Sequence, residues 1–271
     1  MFEVNIAVML VVCLIVLIAM GVHIAISLGM TSALGIFFTT GADSYAFETV
    51  QRMLAATAYE AIRSYVFAVI PLFMLMGEFI GKSGVVTDVY RGINKLLHKI
   101  PGRLALATII GNALFSFVTG VSIASAAAFS RIAYPEMKRF GYHKGFALGS
   151  IAGSSCLGML IPPSVLMIVW GILTEQSIGR IFAAGVLPGA LLMSLFLIYV
   201  LVMAFLKPEI VGEGINSGYK VDKQLNKDDK NEVSITQFFI SLAGIFIVIL
   251  AVLGGILSGF FTPTEGAGAG A

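Results

Sequence analysis

Residues 181–206 and 236–260 run without one charged side chain, and residues 4–22 and 24–40 do the same nearer the start. Runs of this length fit the hydrocarbon core of a bilayer, which takes about 20 apolar residues per helical crossing. Backbone groups in lipid find no water, so only helices or closed barrels cross it. No period-two alternation marks these runs, which points to helices. The composition agrees: 58% of residues are hydrophobic and only 12% charged, against roughly 25% charged in a soluble domain. A cytosolic enzyme, a nucleic-acid binder, a disulfide scaffold and a disordered chain are thereby excluded. The expected fold class is an all-α membrane protein.

Further apolar runs cover residues 64–81, 104–130 and 145–172. The first run lacks the basic flank of a signal peptide and reads as a retained helix. Residues 85–100 form one apolar helical face, Val86, Val89, Ile93 and Leu97, with Asp88, Arg91, Lys95 and Lys99 opposite. Residues 47–63 repeat this more weakly. Both read as amphipathic helices lying at the membrane surface. Cys13 and Cys156 sit in apolar runs and read as small buried hydrophobes. Glu78 and Lys82 are spaced as a snorkelling pair.

Charge placement sets the topology. Lys82, Arg91, Lys95, Lys99 and Arg103 precede the 104–130 run, and Arg131, Lys138, Arg139 and Lys144 follow it. Positive flanks belong in the cytoplasm, so both ends of this run lie on one side. The run therefore reads as a re-entrant hairpin of two half-length helices, turning at Thr119-Gly120-Val121-Ser122. Residues 207–235, polar and without an apolar period, read as a cytoplasmic loop.

Pro162 and Pro163 lie in the middle of the 145–172 run, after Gly153 and Gly158. Prolines remove backbone donors and push the preceding residue out of the helix. A helix broken at mid-membrane frees carbonyls and half-helix ends, which bind small cations and anions. Hard oxygen ligands without carboxylates suit sodium. Thr119, Ser122 and Ser125 offer hydroxyls, and the backbone from Gly158 to Ile161 offers carbonyls. No catalytic constellation is legible, so the expectation is no enzyme and no cofactor beyond a coupling Na+.

Several motifs then resemble one family. They are Pro71-Leu72-Phe73-Met74-Leu75-Met76-Gly77 with Ser83-Gly84, and Phe117-Val118-Thr119-Gly120-Val121-Ser122. Ile161-Pro162-Pro163-Ser164, Gly185-Val186-Leu187-Pro188-Gly189 and Phe261-Thr262-Pro263-Thr264-Glu265 follow. In order along the chain they resemble the large permease subunit of tripartite ATP-independent periplasmic (TRAP) transporters. The resemblance implies an elevator-type inverted-repeat fold in a bacterial inner membrane. It implies sodium-driven import of organic acids such as dicarboxylates or sialic acids. The implied partners are a small four-helix membrane subunit, a periplasmic substrate-binding protein, a carboxylate substrate and the lipid bilayer, with no nucleic acid. Sodium is assigned to Thr119, Gly120, Ser122, Gly158, Ile161 and Pro162. Substrate is assigned to Ser125, Ser154, Ser155, Pro163 and Ser164. Val121 departs from the family's hydroxyl-rich tip. The alternatives are a related sodium/dicarboxylate carrier without a binding protein, and a non-transporting scaffold fragment.

The expected organisation is scaffold helices in 1–103, hairpin and broken helix in 104–180, a crossing helix in 181–206, the loop 207–235, and the start of a second repeat in 236–271. The family carries a second inverted hairpin, which is not found here, and inverted-repeat carriers build their site between both copies. The chain alone is expected to give no sodium-driven uptake in liposomes. Uptake without a complementing segment would overturn that expectation.

Overall fold

A computed structural model describes residues 2–41, 43–63, 65–212 and 234–271. The sequence-expected loop 207–235 lies, for residues 213–233, outside the described residues. Regular structure among the described residues is helical throughout. The chain forms two compact units, residues 1–65 and 66–271.

The first unit holds α1 (Phe2–Ala19), α2 (Ile24–Thr39) and α3 (Ser44–Arg63). The α1–α2 turn uses Gly21 at φ 83°. Gly35 of α2 lets the helices approach, since a Cβ there would stand 3.1 Å from Leu10. The hydroxyls of Ser27 and Thr31 are buried and donate to carbonyls of their own helix or its cap. α3 carries an exposed Arg52–Glu48 ion pair one turn apart. At 18 and 16 residues, α1 and α2 are apolar but shorter than the expected runs.

The second unit contains α4 (Val69–Lys82), α5 (Val85–Leu96), α6 (Arg103–Thr119), α7 (Ser122–Arg139), α8 (Lys144–Ser155), α9 (Leu157–Leu160), α10 (Val165–Leu173), α11 (Ile178–Leu206), α12 (Ile235–Leu257) and α13 (Pro263–Gly270). Segments Lys144–Leu173, Ile178–Leu206 and Ile235–Leu257 are each long and apolar enough to cross a bilayer. The α4–α5 pair, bent by 59°, passes the same test together. Gly84, at φ 84°, makes that bend. Lys82 Nζ lies 3.0 Å from Glu78 at the end of α4, as the spacing predicts.

The apolar face of α5 is taken up by protein. Val86, Val89, Tyr90 and Ile93 are buried, and the helix packs against α6 and α12. Gly92 lets α12 lean on α5, because a Cβ there would overlap the Phe238 ring. Asp88 on the rim accepts from Gln237 Nε2 at 3.2 Å and Ser241 Oγ at 3.3 Å. In lipid, helices associate through close packing and such bonds rather than through the hydrophobic effect. The α13 end closes with a capping box, in which the Thr262 hydroxyl takes the Glu265 amide and Glu265 takes the Thr262 amide.

The hairpin is present, but its arms are longer than the half-length helices expected from residues 104–130. They contain 17 and 18 residues. α7 continues past Arg131 to Arg139, with Pro135 inside it. The apolar run stops at the first arginine, whereas hydrogen bonding continues for two more turns. Cys156 is a correction: it is exposed rather than buried, because it sits on the outer side of the joint between α8 and α9. Cys13 is half-buried.

Substituting Gly92→Val should destabilise the α5–α12 contact by about 1–3 kcal/mol through overpacking. A lowered midpoint of helix loss in detergent checks this, and an unchanged midpoint contradicts it.

Candidate cation and anion site

The site is built where the tip of the α6–α7 hairpin meets the broken helix α8–α9–α10. α6 ends because Gly120 turns left-handed at φ 60° and its amide takes the Ser116 carbonyl at 3.0 Å. Val121 is extended and α7 begins at Ser122 without a side-chain cap. The first amides of α7 therefore lack intrahelical partners at the tip, as at any helix start.

The broken helix follows from its prolines. α8 and α9 meet at Cys156, the chain bends through Pro162-Pro163 between extended Ile161 and Ser164, and α10 resumes at Val165. The Pro162–Pro163 peptide is cis. In a continuing helix the carbonyls of Gly158 and Met159 would receive the amides of residues 162 and 163, and proline has none. The Ser164 hydroxyl replaces one of these donors, at 2.8 Å from the Met159 carbonyl. The Gly158 carbonyl keeps no ladder donor.

Tip and break are clasped. The Val165 amide donates to the Gly120 carbonyl at 3.1 Å. A Cβ on Gly120 would overlap the Pro163 carbonyl oxygen, and one on Gly158 would stand 3.2 Å from the Ser122 amide nitrogen and 3.4 Å from Ser116 Oγ. α4 closes one side through Gly77, where a Cβ would fall 2.7 Å from Thr119 Cγ2. α11 closes another through Gly185 and Gly189, which receive Leu160 and Ile161.

Thr119, Gly120, Ser122, Gly158, Ile161, Pro162, Pro163 and Ser164 are thus brought to one buried junction. Thr119 donates to the Phe115 carbonyl at 3.1 Å, which leaves its lone pairs free to accept or to coordinate. Ile161 directs its side chain at Gly189, so only its backbone is available. Ser125 is fully buried, and its hydroxyl finds no partner among the described residues. Ser154 and Ser155 lie on the last turn of α8. Both are buried and donate to local carbonyls, Ser150 at 2.6 Å and Ala152 at 2.7 Å.

Sequence reasoning missed Asn112. It is fully buried in α6, and its Nδ2 donates to Ser154 Oγ at 2.6 Å and to the Ile151 carbonyl at 3.4 Å. This bond ties the hairpin arm to the first half of the broken helix. The signal was a lone amide between Gly111 and Ala113 in an apolar run. No group of three or more His, Cys, Asp or Glu able to hold a metal ion occurs among the described residues. The junction's coordinating chemistry is that of carbonyl and hydroxyl oxygens, with helix-start amides beside them.

A hairpin clasped by a broken helix, inside a helical chain with membrane-length apolar segments, defines an integral membrane protein. The sequence model of the family described as Tripartite ATP-independent periplasmic transporter, DctM component, matches residues 11–271. The C4-dicarboxylate TRAP transporter large permease protein of Pseudomonas aeruginosa is 34% identical, over 89% of this chain and 51% of its own length. The sialic acid TRAP large permease of Vibrio cholerae is 31% identical, over 76% of this chain and 45% of its own. The ectoine TRAP large permease of Halomonas elongata is 28% identical, over 93% and 55%. The chain belongs to the DctM family of TRAP transporter large permeases. It spans about half the length of the relatives it matches.

Gly120→Ala should destabilise the unit by more than 1 kcal/mol or so, from the left-handed φ and the crowding against Pro163 together. Asn112→Ala and Ser154→Ala, combined in a double-mutant cycle, should show a coupling of about 0.5–1.5 kcal/mol. Additive losses in thermal unfolding would show that the bond carries no coupling.

Proposed function

We propose that this chain forms the first half of a sodium-driven permease for organic acids. In this reading the clasp between hairpin tip and broken helix is its first sodium site and one wall of its substrate site. The observation that carries the reading is Gly158, whose carbonyl loses its ladder donor to Pro162 and whose Cα faces the tip, a Cβ there standing 3.2 Å from the Ser122 amide nitrogen. A bare carbonyl in a buried place is costly unless a donor or a cation meets it. Sodium accepts such neutral oxygens, and binding it in the clasp also couples the hairpin to the broken helix. The backbone of Thr119, Gly120, Ile161 and Pro162 and the hydroxyls of Thr119 and Ser122 complete the proposed shell.

The substrate's negative charge belongs at the helix starts. The first amides of α7, and those that follow Val165 in α10, lie at the same junction, and helix starts favour anions; the Val165 amide itself is held by the Gly120 carbonyl. Ser164 is the N-cap of α10, Pro163 precedes it, and Ser125 lies one turn into α7. Ser154 and Ser155, buried on α8, support this wall from behind. Relatives named for C4-dicarboxylate and sialic acid transport favour a carboxylate as the substrate class. Membership of the family favours a periplasmic binding protein that delivers it, a small membrane subunit alongside, and the bacterial inner membrane as the location.

The test uses the complete permease with both partner proteins in proteoliposomes. Ser122→Ala and Gly158→Leu should each raise the sodium concentration for half-maximal uptake about tenfold or more, or abolish uptake. The binding protein should keep its affinity for the acid. Unchanged sodium dependence in both variants would overturn the assignment.

A further inference from the structure

A groove of about 450 Å³ lies between α8 and α11, away from the clasp. Gly145, Phe146, Gly149, Ser150, Phe196 and Tyr199 line it. The two helices meet at one end, where a Cβ on Gly153 would stand 3.4 Å from the Phe196 ring. One turn nearer the start of α8, a Cβ on Gly149 would meet open space. Phe146 and Tyr199 lie side by side along this opening, with ring centroids 6.4 Å apart. The hydroxyl of Ser150 is already spent on the Phe146 carbonyl at 2.8 Å. The lining therefore suits hydrocarbon and gives a small organic acid little to bind.

The open end is basic. Lys144 opens α8 and Lys207 caps α11. The segment after α11 folds over the start of α8, where the His143 amide donates to the Ile210 carbonyl at 2.9 Å. That fold sets the two exposed lysines at the same end of the groove. Exposed Lys138, Arg139 and His143 lie nearby in the chain, and among the described residues the acids near this end are exposed Glu209 and half-buried Glu136. An apolar slot with cations at its mouth is complementary to an amphiphile with an acidic head. The positive-inside rule puts this end in the cytoplasmic leaflet, where anionic lipids meet basic pockets between helices.

We propose that this groove holds one acyl chain of an anionic phospholipid, whose phosphate sits on Lys144 and Lys207. The proposal is independent of sodium coupling. The 271-residue chain, purified in mild detergent, is titrated with palmitoyl-oleoyl phosphatidylglycerol or phosphatidylcholine and read by native mass spectrometry. Phosphatidylglycerol should be retained about thirtyfold more strongly, since two lysines near a lipid surface together contribute about 2 kcal/mol. The double variant Lys144→Glu, Lys207→Glu should lose that preference and keep its circular dichroism. Gly149→Phe should fill the slot and lower retention of both lipids, with Gly149→Leu as the milder variant if the first unsettles α8. Equal retention of the two lipids by the unsubstituted chain would overturn the proposal. So would a preference that survives charge reversal, or retention unchanged by filling the slot. A Gly149→Cys chain that crosslinks to a polypeptide in native membranes would show that a protein segment occupies the groove instead.

Discussion

The fold of the second unit turns on one backbone hydrogen bond, from the Val165 amide to the Gly120 carbonyl. It joins the turn of the hairpin to the point where the broken helix resumes. Both groups are there because a helix has ended: Gly120 closes α6 in a left-handed turn, and Val165 restarts a helix that two prolines interrupted. Each interruption leaves polar backbone without a ladder partner, which an apolar surrounding does not tolerate. Bringing the two interruptions together lets them satisfy one another in part. What the ladder leaves without an intrahelical partner is the Gly158 carbonyl and the first amides of α7.

Small residues make that closeness possible. Gly77 on α4, Gly158 on α9, and Gly185 and Gly189 on α11 surround the clasp, and a side chain on any of them would press on the tip or the break. In a bilayer this is how helices gain contact, because lipid tails compete equally for apolar side chains. Asn112 adds a polar link below the clasp by holding Ser154. A buried amide-to-hydroxyl bond fixes the register of two helices, which glycine contacts alone do not.

The hydroxyl groups divide into two kinds. Thr119, Ser154, Ser155 and Ser164 give their protons to carbonyls of their own segment. Their remaining lone pairs accept: Ser154 takes the Asn112 amide, and those of Thr119 are open to a cation. Ser125, buried with an unpartnered hydroxyl, can still donate. Acceptor and donor hydroxyls thereby lie within a few residues of one turn.

The sequence by itself determined the solvent and the interruptions. Uncharged runs dictated helices in lipid, basic flanks dictated a hairpin, and Pro162-Pro163 dictated a break, because each follows from local chemistry. Other features rest on distant neighbours. The length of α7 past Arg131, the exposure of Cys156, the covering of α5 by Phe238 and α12, and the role of Asn112 depend on which surfaces meet. A period of apolar residues shows that a face will be covered, and it does not say by what. Only the tertiary structure decided that the tip's glycine would face the break's prolines, since residues about forty positions apart carry no mark of each other until packing brings the two unsatisfied backbones together.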